Sequence, residues 1–457
     1  MKILVTRFSA LGDVAMTVPV LQAVATQNDD VEITVVSKPF CAPIFASLPP
    51  NVRFEGIDVS RAYRGVNGLR RLVRDCAVAD YDAVADLHDV LRTKYMRFYA
   101  MLHGVRVAAI DKDRAGRAAL VRQKDKCRVQ QKTSFEKYAD VFRRLGLAVD
   151  LAQVQLPVPA VAPAESASLA ASLVQSVAPA GSASLPAGSA SLAGGLAESV
   201  APVGSASLAV GQAETVTPVT ESAAECVAEL AVPAAESAAK SAVASVAESV
   251  AEYATESVAA SAVASVAESV TESAVEFVAE SGAPAAESAL PAIGVAPFAA
   301  HDGKIYPLEL MREVVRRLAE GGRCDIYLFG GGQKEREVLE EWETEMPRVR
   351  SVAGRLGGLD KELELMSTLR LMLSMDSANM HLASLVGTPV ISIWGATHPL
   401  AGFMGWRQSE ANAIQVDLPC RPCSIFGNKP CLRGDYACLR QITPEQIVAK
   451  VNDALAH

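Results

Sequence analysis

From about residue 160 to residue 292 the chain is almost entirely Ala, Ser, Val, Glu, Pro, Gly and Leu, and this stretch most restricts the fold. "GSASL" recurs at 181, 188 and 204, and "SAVASVAESV" stands identically at 241 and 261. The Pro- and Gly-dense first part lacks the large apolar side chains that offset chain entropy, so it is expected to be disordered. Residues 234–281 lack Pro and Gly and carry Val at helical spacing, which predicts partial helix. The ten-residue copy does not fit a heptad, so no coiled coil is expected. A repeat expansion tolerated in a linker is the simpler reading, with an interaction arm as its rival. Any enzyme fold must therefore be assembled from the two flanking segments.

Both flanks alternate strand and helix. The first shows strands over Lys2–Thr6, Glu32–Ser37, Ala83–Asp86 and Arg106–Ile110, with helices over Val14–Ala25, Val66–Asp75, Thr93–Leu102 and Ser134–Leu145. The second shows strands at Ala292–Ala296, Asp325–Phe329, Leu371–Ser374 and Val390–Trp394. Its helices are expected over Pro307–Glu320, Lys334–Glu345, Lys361–Thr368, from near Ser377, and over Pro444–Ala456. In the last helix Thr443 is the expected N-cap and Pro444 the first helical residue. Alternation of this kind implies parallel sheets, whose ligands gather at the carboxyl ends of the strands. The expected organisation is an α/β domain over 1–158, an insertion over 159–292 and a second α/β domain over 293–457, with a cleft between the two domains.

Charge divides along the same lines. The tract holds 15 Glu and one Lys, a net −14 within a whole-chain −9, so the folding remainder carries +5. A mildly basic enzyme suits an anionic ligand or an acidic membrane face. Arg7 and Asp13 interrupt any opening apolar run, and no stretch reaches the length of a membrane span, so a cytoplasmic location is expected. Nine cysteines then point to thiols or a metal site rather than a disulfide framework.

Five stretches carry candidate chemistry. "RFSALGDVAMTVP" (7–19) is a strand-to-helix turn with a single glycine, Gly12, and a carboxylate, Asp13, which would repel phosphate. In "SMDSANMHLASLVGTP" (374–389) a strand ends at Asp376, and Ser377 and Ala378 open a helix whose free N–H groups can receive an anion. His381, one turn on, would reach a phosphate or ribose; Asp376 or Ser377 acting as an ordinary cap is the plainer alternative. "APFAAHDGKIYP" (296–307) presents Lys304 among small residues, as a phosphate anchor or a solvated lysine. Gly330 to Gly332 follow a strand and would admit either a ligand or a tight turn. Cys420, Cys423, Cys431 and Cys438 would hold structural zinc or stand as buried or redox-labile thiols; only the first pair has close ligand spacing.

"RFSALGDVAMTVPVLQAV", "APFAAHDGKIYP", "FGGGQKERE", "SMDSANMHLASLVGTPVISIWGATHP" and "CRPCSIFGNKPCLRGDYACLRQITPE" occur in that order. Together they resemble the bacterial heptosyltransferase family, glycosyltransferase family 9. The resemblance implies the GT-B fold, two Rossmann-like domains facing a cleft. It also implies inverting, metal-independent transfer of heptose from an ADP-heptose donor to the inner core of lipopolysaccharide. It carries Asp13 over as the general base, Lys304 as the donor-phosphate lysine and Asp376 as the contact to heptose hydroxyls. Ser377, Ala378, Asn379 and His381 become the cradle of the diphosphate, with "SANMH" departing from the family's usual glycine-bearing turn; Gly330 joins the donor side. "DLHDVLRTK" (86–94) resembles the acceptor-side loop, which makes His88 and Arg92 candidates. Arg61 and Arg64 open a basic run suited to a lipid-linked acceptor on the inner face of the cytoplasmic membrane. Nucleic acid is not an expected partner.

Two other functions compete. A GT-B-like sugar-nucleotide epimerase would need a further acid–base cluster in the cleft, which the sequence does not offer. A non-catalytic sugar-nucleotide or surface-binding module would not need Asp13, Lys304 and Asp376 together. A nicotinamide oxidoreductase is disfavoured, because no GxGxxG follows either first strand.

Overall fold

A computed structural model describes residues 1–59, 63–157 and 290–456. Its first lobe is built on a five-stranded parallel sheet of order β3-β2-β1-β4-β5. The strands are β1 (Lys2–Thr6), β2 (Glu32–Ser37), β3 (Val52–Gly56), β4 (Ala83–Asp86) and β5 (Arg106–Ala109). Helices α1 (Leu11–Ala15), α2 (Val18–Thr26), α3 (Gly65–Asp75), α4 (Leu91–Leu102), α5 (Arg114–Val121) and α6 (Ser134–Arg144) cover its faces. β1 is buried after its first residue and pairs with β2 and β4, so Thr6 lies in register with Val36 and Asp86. The chain leaves all three strands at one edge of the sheet, and the loops after β1 and β4 supply Arg7 to Asp13 and His88.

The helix expected over Val14–Ala25 is two helices. Thr17 donates its hydroxyl to Val14 O instead of continuing the turn, and Pro19, near the start of α2, has no N–H to give. The break lets α1 and α2 take separate directions, and α1 carries Asp13.

The second lobe has six parallel strands in the order β11-β10-β9-β6-β7-β8. They are β6 (Ala292–Ala296), β7 (Asp325–Leu328), β8 (Val349–Ser351), β9 (Leu371–Met375), β10 (Val390–Ile393) and β11 (Ala413–Ile414). The helices are α7 (Leu308–Glu320), α8 (Gln333–Glu345), α9 (Leu359–Thr368), α10 (Ala378–Leu385), α11 (Ala437–Arg440) and α12 (Pro444–Ala456). β6 is buried throughout and pairs with β7 and β9, which sets the turns after β6 and β9, with Lys304 and Asp376, side by side. α12 starts as expected. Thr443 Oγ1 accepts the Gln446 N–H at 3.3 Å while Gln446 Oε1 accepts the Thr443 N–H at 2.9 Å, a reciprocal capping box.

Both sheets lie in one compact unit. One apolar cluster runs through both lobes, from Leu21 and Phe142 to Met380, Trp394 and Phe403. Phe135 meets Trp406 edge-on at 5.0 Å, and the Ser134 N–H donates to Gly402 O at 3.0 Å. The expected disorder, partial helix and linker role of the low-complexity tract fall on residues 158–289, outside the described residues. Among the described residues no helix is long and apolar enough to cross a membrane.

Candidate active site

Asp13 is the third residue of α1, and its Oδ2 accepts the Ala10 N–H at 3.2 Å, so it does brace a helix start. It does more than that. The guanidinium of Arg7, which leaves the end of β1 and is only 9% exposed, forms an ion pair with the same oxygen, while the Asp13 side chain stays 27% exposed. Arg7 also donates to Leu87 O at 2.6 Å, and the buried Tyr138 hydroxyl donates to Asp13 O at 3.3 Å. The carboxylate is thus fixed through its backbone and through Oδ2, which leaves Oδ1 as the oxygen that can accept a further proton donor.

Asp13 lines a cavity of about 570 Å³ to which both lobes contribute. The first lobe supplies Arg7, His88, Lys112, Arg114 and Arg117, and the second supplies Phe403, Ile425 and Phe426. Four cations and one carboxylate give this wall a net positive charge. Arg117 stands 5.4 Å and 5.5 Å from the ring centres of Phe403 and Phe426, so its place depends on the second lobe. Burial holds the Arg117 and Lys112 side chains below their ordinary pKa ranges. His88 is pushed down to about 4, by burial first and then by Arg7, Lys112 and Arg92. It is therefore a neutral imidazole at pH 7, within 3.3 Å of Ser9 Oγ.

At the heads of β6 and β9, Lys304 Nζ and Asp376 Oδ2 form a 2.9 Å ion pair; Lys304 is 15% and Asp376 3% exposed. Ser377 caps α10 without a side-chain bond to the helix, its hydroxyl instead lying 3.2 Å from Ser374 Oγ. Ser377, Ala378 and Asn379 are half-buried, and the first N–H groups of α10 face no side-chain cap. The lysine stem is clamped by the 421–428 loop. Gly427, at φ +73°, sits where a Cβ would fall 2.6 Å from Lys304 Cγ, so a side chain there would expel the lysine.

Gly12 and His381 link these two groups. A Cβ on Gly12 would lie 2.7 Å from His381 Cδ2 and 3.4 Å from Ala378 Cα, so the missing side chain is what lets α1 close onto α10. His381 is buried, its ring packed against Gly12. Burial pushes it down to about 4, against the charges of Asp376 and Asp13 and with that of Lys304. Its Nδ1 has no hydrogen-bond partner among the described residues.

Other sequence candidates fall elsewhere. Gly330 rests against Leu339 and Glu335, and the neighbouring Gly331 N–H already donates to Glu335 Oε2 at 2.7 Å, so this turn is closed by its own carboxylate. Arg92 donates to Val59 O at 3.0 Å and lies over Phe8 at 5.9 Å, behind His88 rather than in the cavity wall. Arg64 precedes α3 and is outside the lining; Arg61 lies outside the described residues. The four thiols lie near enough to act on one another's charge, but among the described residues no group of three or more His, Cys, Asp or Glu side chains is placed to hold a metal. Cys438 is buried, its thiol pushed up to about 11 by desolvation, while Cys420, Cys423 and Cys431 are half-buried.

Arg421, between the first two of those cysteines, was missed by sequence reasoning. The buried Arg421 guanidinium donates to Gly395 O at 2.6 Å, Thr397 O at 2.9 Å and Trp394 O at 3.1 Å, tying together the turn after β10. Arg7, Lys112 and Tyr138 were also not among the site candidates. Arg7 and Lys112 each follow the end of a strand, at the ligand edge of a parallel sheet, and that position is a usable signal. Chemically, the arrangement can accept a proton at Asp13, receive an anion on the first lobe and meet a second anion at Lys304 and the start of α10.

The family model described as glycosyltransferase family 9 (heptosyltransferase) matches residues 206–430. No curated protein matches the chain. Among solved structures, the glycosyl transferase family 9 protein from Veillonella parvula aligns at TM-score 0.57 and 15% identity, covering 100% of this chain and 97% of that one. The E. coli heptosyltransferase WaaC with ADP aligns at 0.52 and 15%, covering 99% and 100%. The E. coli ADP-heptose lps heptosyltransferase II aligns at 0.51 and 15%, covering 100% and 99%. At that identity the likeness establishes the fold, the GT-B pairing of two parallel α/β lobes.

Proposed function

We propose that this chain, which matches the glycosyltransferase family 9 (heptosyltransferase) model over residues 206–430, moves a heptose from ADP-heptose to the inner core of lipopolysaccharide, with inversion at the anomeric carbon. The observation that carries this reading is Asp13, held by Arg7 and still part-exposed in a cationic cavity shared by both lobes. A donor seated at α10 would direct its anomeric carbon toward the first lobe, and an acceptor in the cavity would approach from the opposite side. The acceptor hydroxyl oxygen bonds to the anomeric carbon, the bond from that carbon to the diphosphate oxygen breaks, and the hydroxyl proton passes to Asp13 Oδ1. A carboxylate is a weak base, which suits an oxocarbenium-like transition state that releases the proton late.

ADP leaves carrying both electrons of the broken bond. Lys304 and the first N–H groups of α10 meet the growing charge, so the chain supplies from its own residues what a metal ion would otherwise supply. Lys304 is neutralised by Asp376 in the structure, and the diphosphate would share it, freeing Asp376 toward the sugar hydroxyls. Arg7, Lys112, Arg114 and Arg117 suit an acceptor bearing carboxylates or phosphates, as the acidic sugars of a lipid-linked core do. We place the enzyme in the cytoplasm, peripheral at the inner membrane face.

The test is ADP release from ADP-heptose with and without core-oligosaccharide acceptor, with the product anomer assigned by NMR. Asp13→Asn should retain donor affinity while turnover falls by roughly 10²- to 10⁴-fold. Acceptor-independent release, a retained anomer, or near-normal turnover in that variant would each reject the corresponding part of the reading.

A further inference from the structure

Helix α4 is apolar on two sides. Thr93, Met96 and Ala100 face inward, as an α/β helix requires. On the outer side Leu91 is 79% exposed, Phe98 55%, Met101 55% and Leu102 67%, and the half-buried Tyr95 stands between them. Positions 91, 95, 98 and 102 follow one another at helical spacing and form a continuous stripe, about 18 Å long at 1.5 Å per residue. Singly exposed apolar residues are common on soluble proteins, but a stripe of this length is not.

The stripe is bordered by positive charge. α3 packs alongside α4 and exposes Arg70, Arg71 and Arg74, with Val66, 63% exposed, at its start. Arg71 is drawn to Asp75 at 3.2 Å, Arg74 only approaches the same carboxylate at 3.9 Å, and no partner is recorded for Arg70 among the described residues. Lys94 lies on α4 itself, 50% exposed. Apolar and aromatic side chains beside several arginines complement the acyl boundary and the anionic headgroups of a bilayer.

The stripe also begins at the site. Leu91 follows Val90, which lines the Asp13 cavity, and His88 lines it two residues earlier. An acceptor whose sugars enter that cavity while its lipid remains in the bilayer requires the protein's membrane face to border the cavity mouth, and α4 meets that requirement.

We infer that the outer face of α3 and α4 is the surface by which this enzyme docks on an anionic membrane, with Leu91, Phe98, Met101 and Leu102 entering the headgroup boundary and Arg70 and Arg74 meeting lipid phosphates. The inference rests on the lipid-linked acceptor of the proposed function and adds the face that presents it.

The experiment is co-sedimentation of the full chain with phosphatidylcholine vesicles, with and without about a third phosphatidylglycerol. It is run beside transfer to a water-soluble core oligosaccharide and to the same core on its lipid. Wild-type protein should bind the anionic vesicles, and less so as salt is raised. The triple variant Phe98→Ser, Met101→Ser, Leu102→Ser should lose binding by roughly 100-fold or more, because its apolar contact is gone. It should lose transfer to the lipid-bearing acceptor while keeping transfer to the soluble one. Arg70→Gln with Arg74→Gln should weaken binding by roughly 30-fold and reduce its salt dependence. Failure of wild-type protein to bind anionic vesicles, or triple-variant binding equal to wild type, overturns the inference. So does a wild-type dimer that the triple variant dissociates without any vesicle binding, since the face would then belong to a second copy. Vesicle binding with no transfer to either acceptor would reject the proposed reaction and leave the docking face standing.

Discussion

Replacing Gly12 by alanine tests whether the two lobes are brought together by the absence of one methyl group. The added Cβ would sit 2.7 Å from His381 Cδ2, about 1 Å inside an ordinary carbon contact. The His381 ring is buried and cannot swing aside, so α1 and α10 must separate. Overpacking of this kind costs about 1–3 kcal/mol. Gly12 lies inside a helix at an unexceptional φ, and alanine there gains about 1 kcal/mol of helix propensity. The net loss is about 0–2 kcal/mol, a fall in Tm of a few degrees. Turnover should fall much further, by up to roughly 10²-fold, because Asp13 is the next residue and a displacement of about 1 Å is enough to misalign a reacting group. A double-mutant cycle with His381→Ala, read by thermal unfolding, isolates the contact: Gly12→Ala should cost less once the ring is gone. Equal cost in both backgrounds, or wild-type turnover in Gly12→Ala, would refute the argument.

Other outcomes follow from the same geometry. Lys304→Ala should weaken donor binding, measured by calorimetry, and also destabilise the fold by about 3–5 kcal/mol, because it strands the buried Asp376 carboxylate; adding Asp376→Asn should recover stability without recovering donor affinity. His88, His381 and His398 are held near 4 by burial, so the unfolded chain takes up protons below about 6.5 while the folded one does not. Stability should therefore be full above that pH and be lost as pH falls toward 4, and His398→Gln should flatten the slope of Tm against pH. Thiol labelling near pH 8 should modify the exposed Cys127 first and spare Cys438, Cys76 and Cys324; a bound metal at the C-terminal cysteines would instead protect Cys420, Cys423 and Cys431 together. Deleting residues 165–288 should leave cooperative unfolding and activity, since loop closure costs only about 0.6 kcal/mol per doubling of length. The family match opens at residue 206, inside that stretch, which makes the deletion a stringent test.

Buried strands and capped helices were legible because their signals are local. Lys2–Thr6, Ala292–Ala296 and Pro444–Ala456 stand where apolar runs and cap residues put them. β3 and β8 were not legible: β3 is half-exposed and alternates poorly, and β8 is three residues at a sheet edge, so neither carries the apolar run that marks a central strand. α5 was missed because only Leu120 is buried in a short, arginine-bearing helix. The site divides in the same way. Asp13, Lys304 and Asp376 stand at strand ends that the alternation located, whereas Arg117 acquires its surroundings from Phe403 and Phe426, almost three hundred positions away, and only closure of the lobes brings them together. His381 was located on the right helix, but its burial was not legible, because packing between lobes leaves no local trace in a sequence.

The charge layout constrains the order of binding. On the proposed donor side Lys304 and Asp376 neutralise one another and are nearly buried, so an arriving diphosphate would have to draw the lysine away from a partner already at 2.9 Å. On the proposed acceptor side Arg7 has its carboxylate, but Arg114 is 77% exposed, and among the described residues its ion-pair partner Asp89 stands as far off as 3.8 Å. An anionic acceptor therefore meets standing positive charge, and long-range attraction alone favours its approach. The donor gains comparatively little from attraction at a distance and depends on short contacts to α10 and Lys304 made after arrival. Because α10 also carries the His381 surface on which Gly12 rests, tightening those contacts acts directly on the helix that holds Asp13. The proposed base is thus positioned by the same helix that would hold the donor, which ties proton removal to an occupied donor site and disfavours activation of the acceptor hydroxyl when no sugar is present.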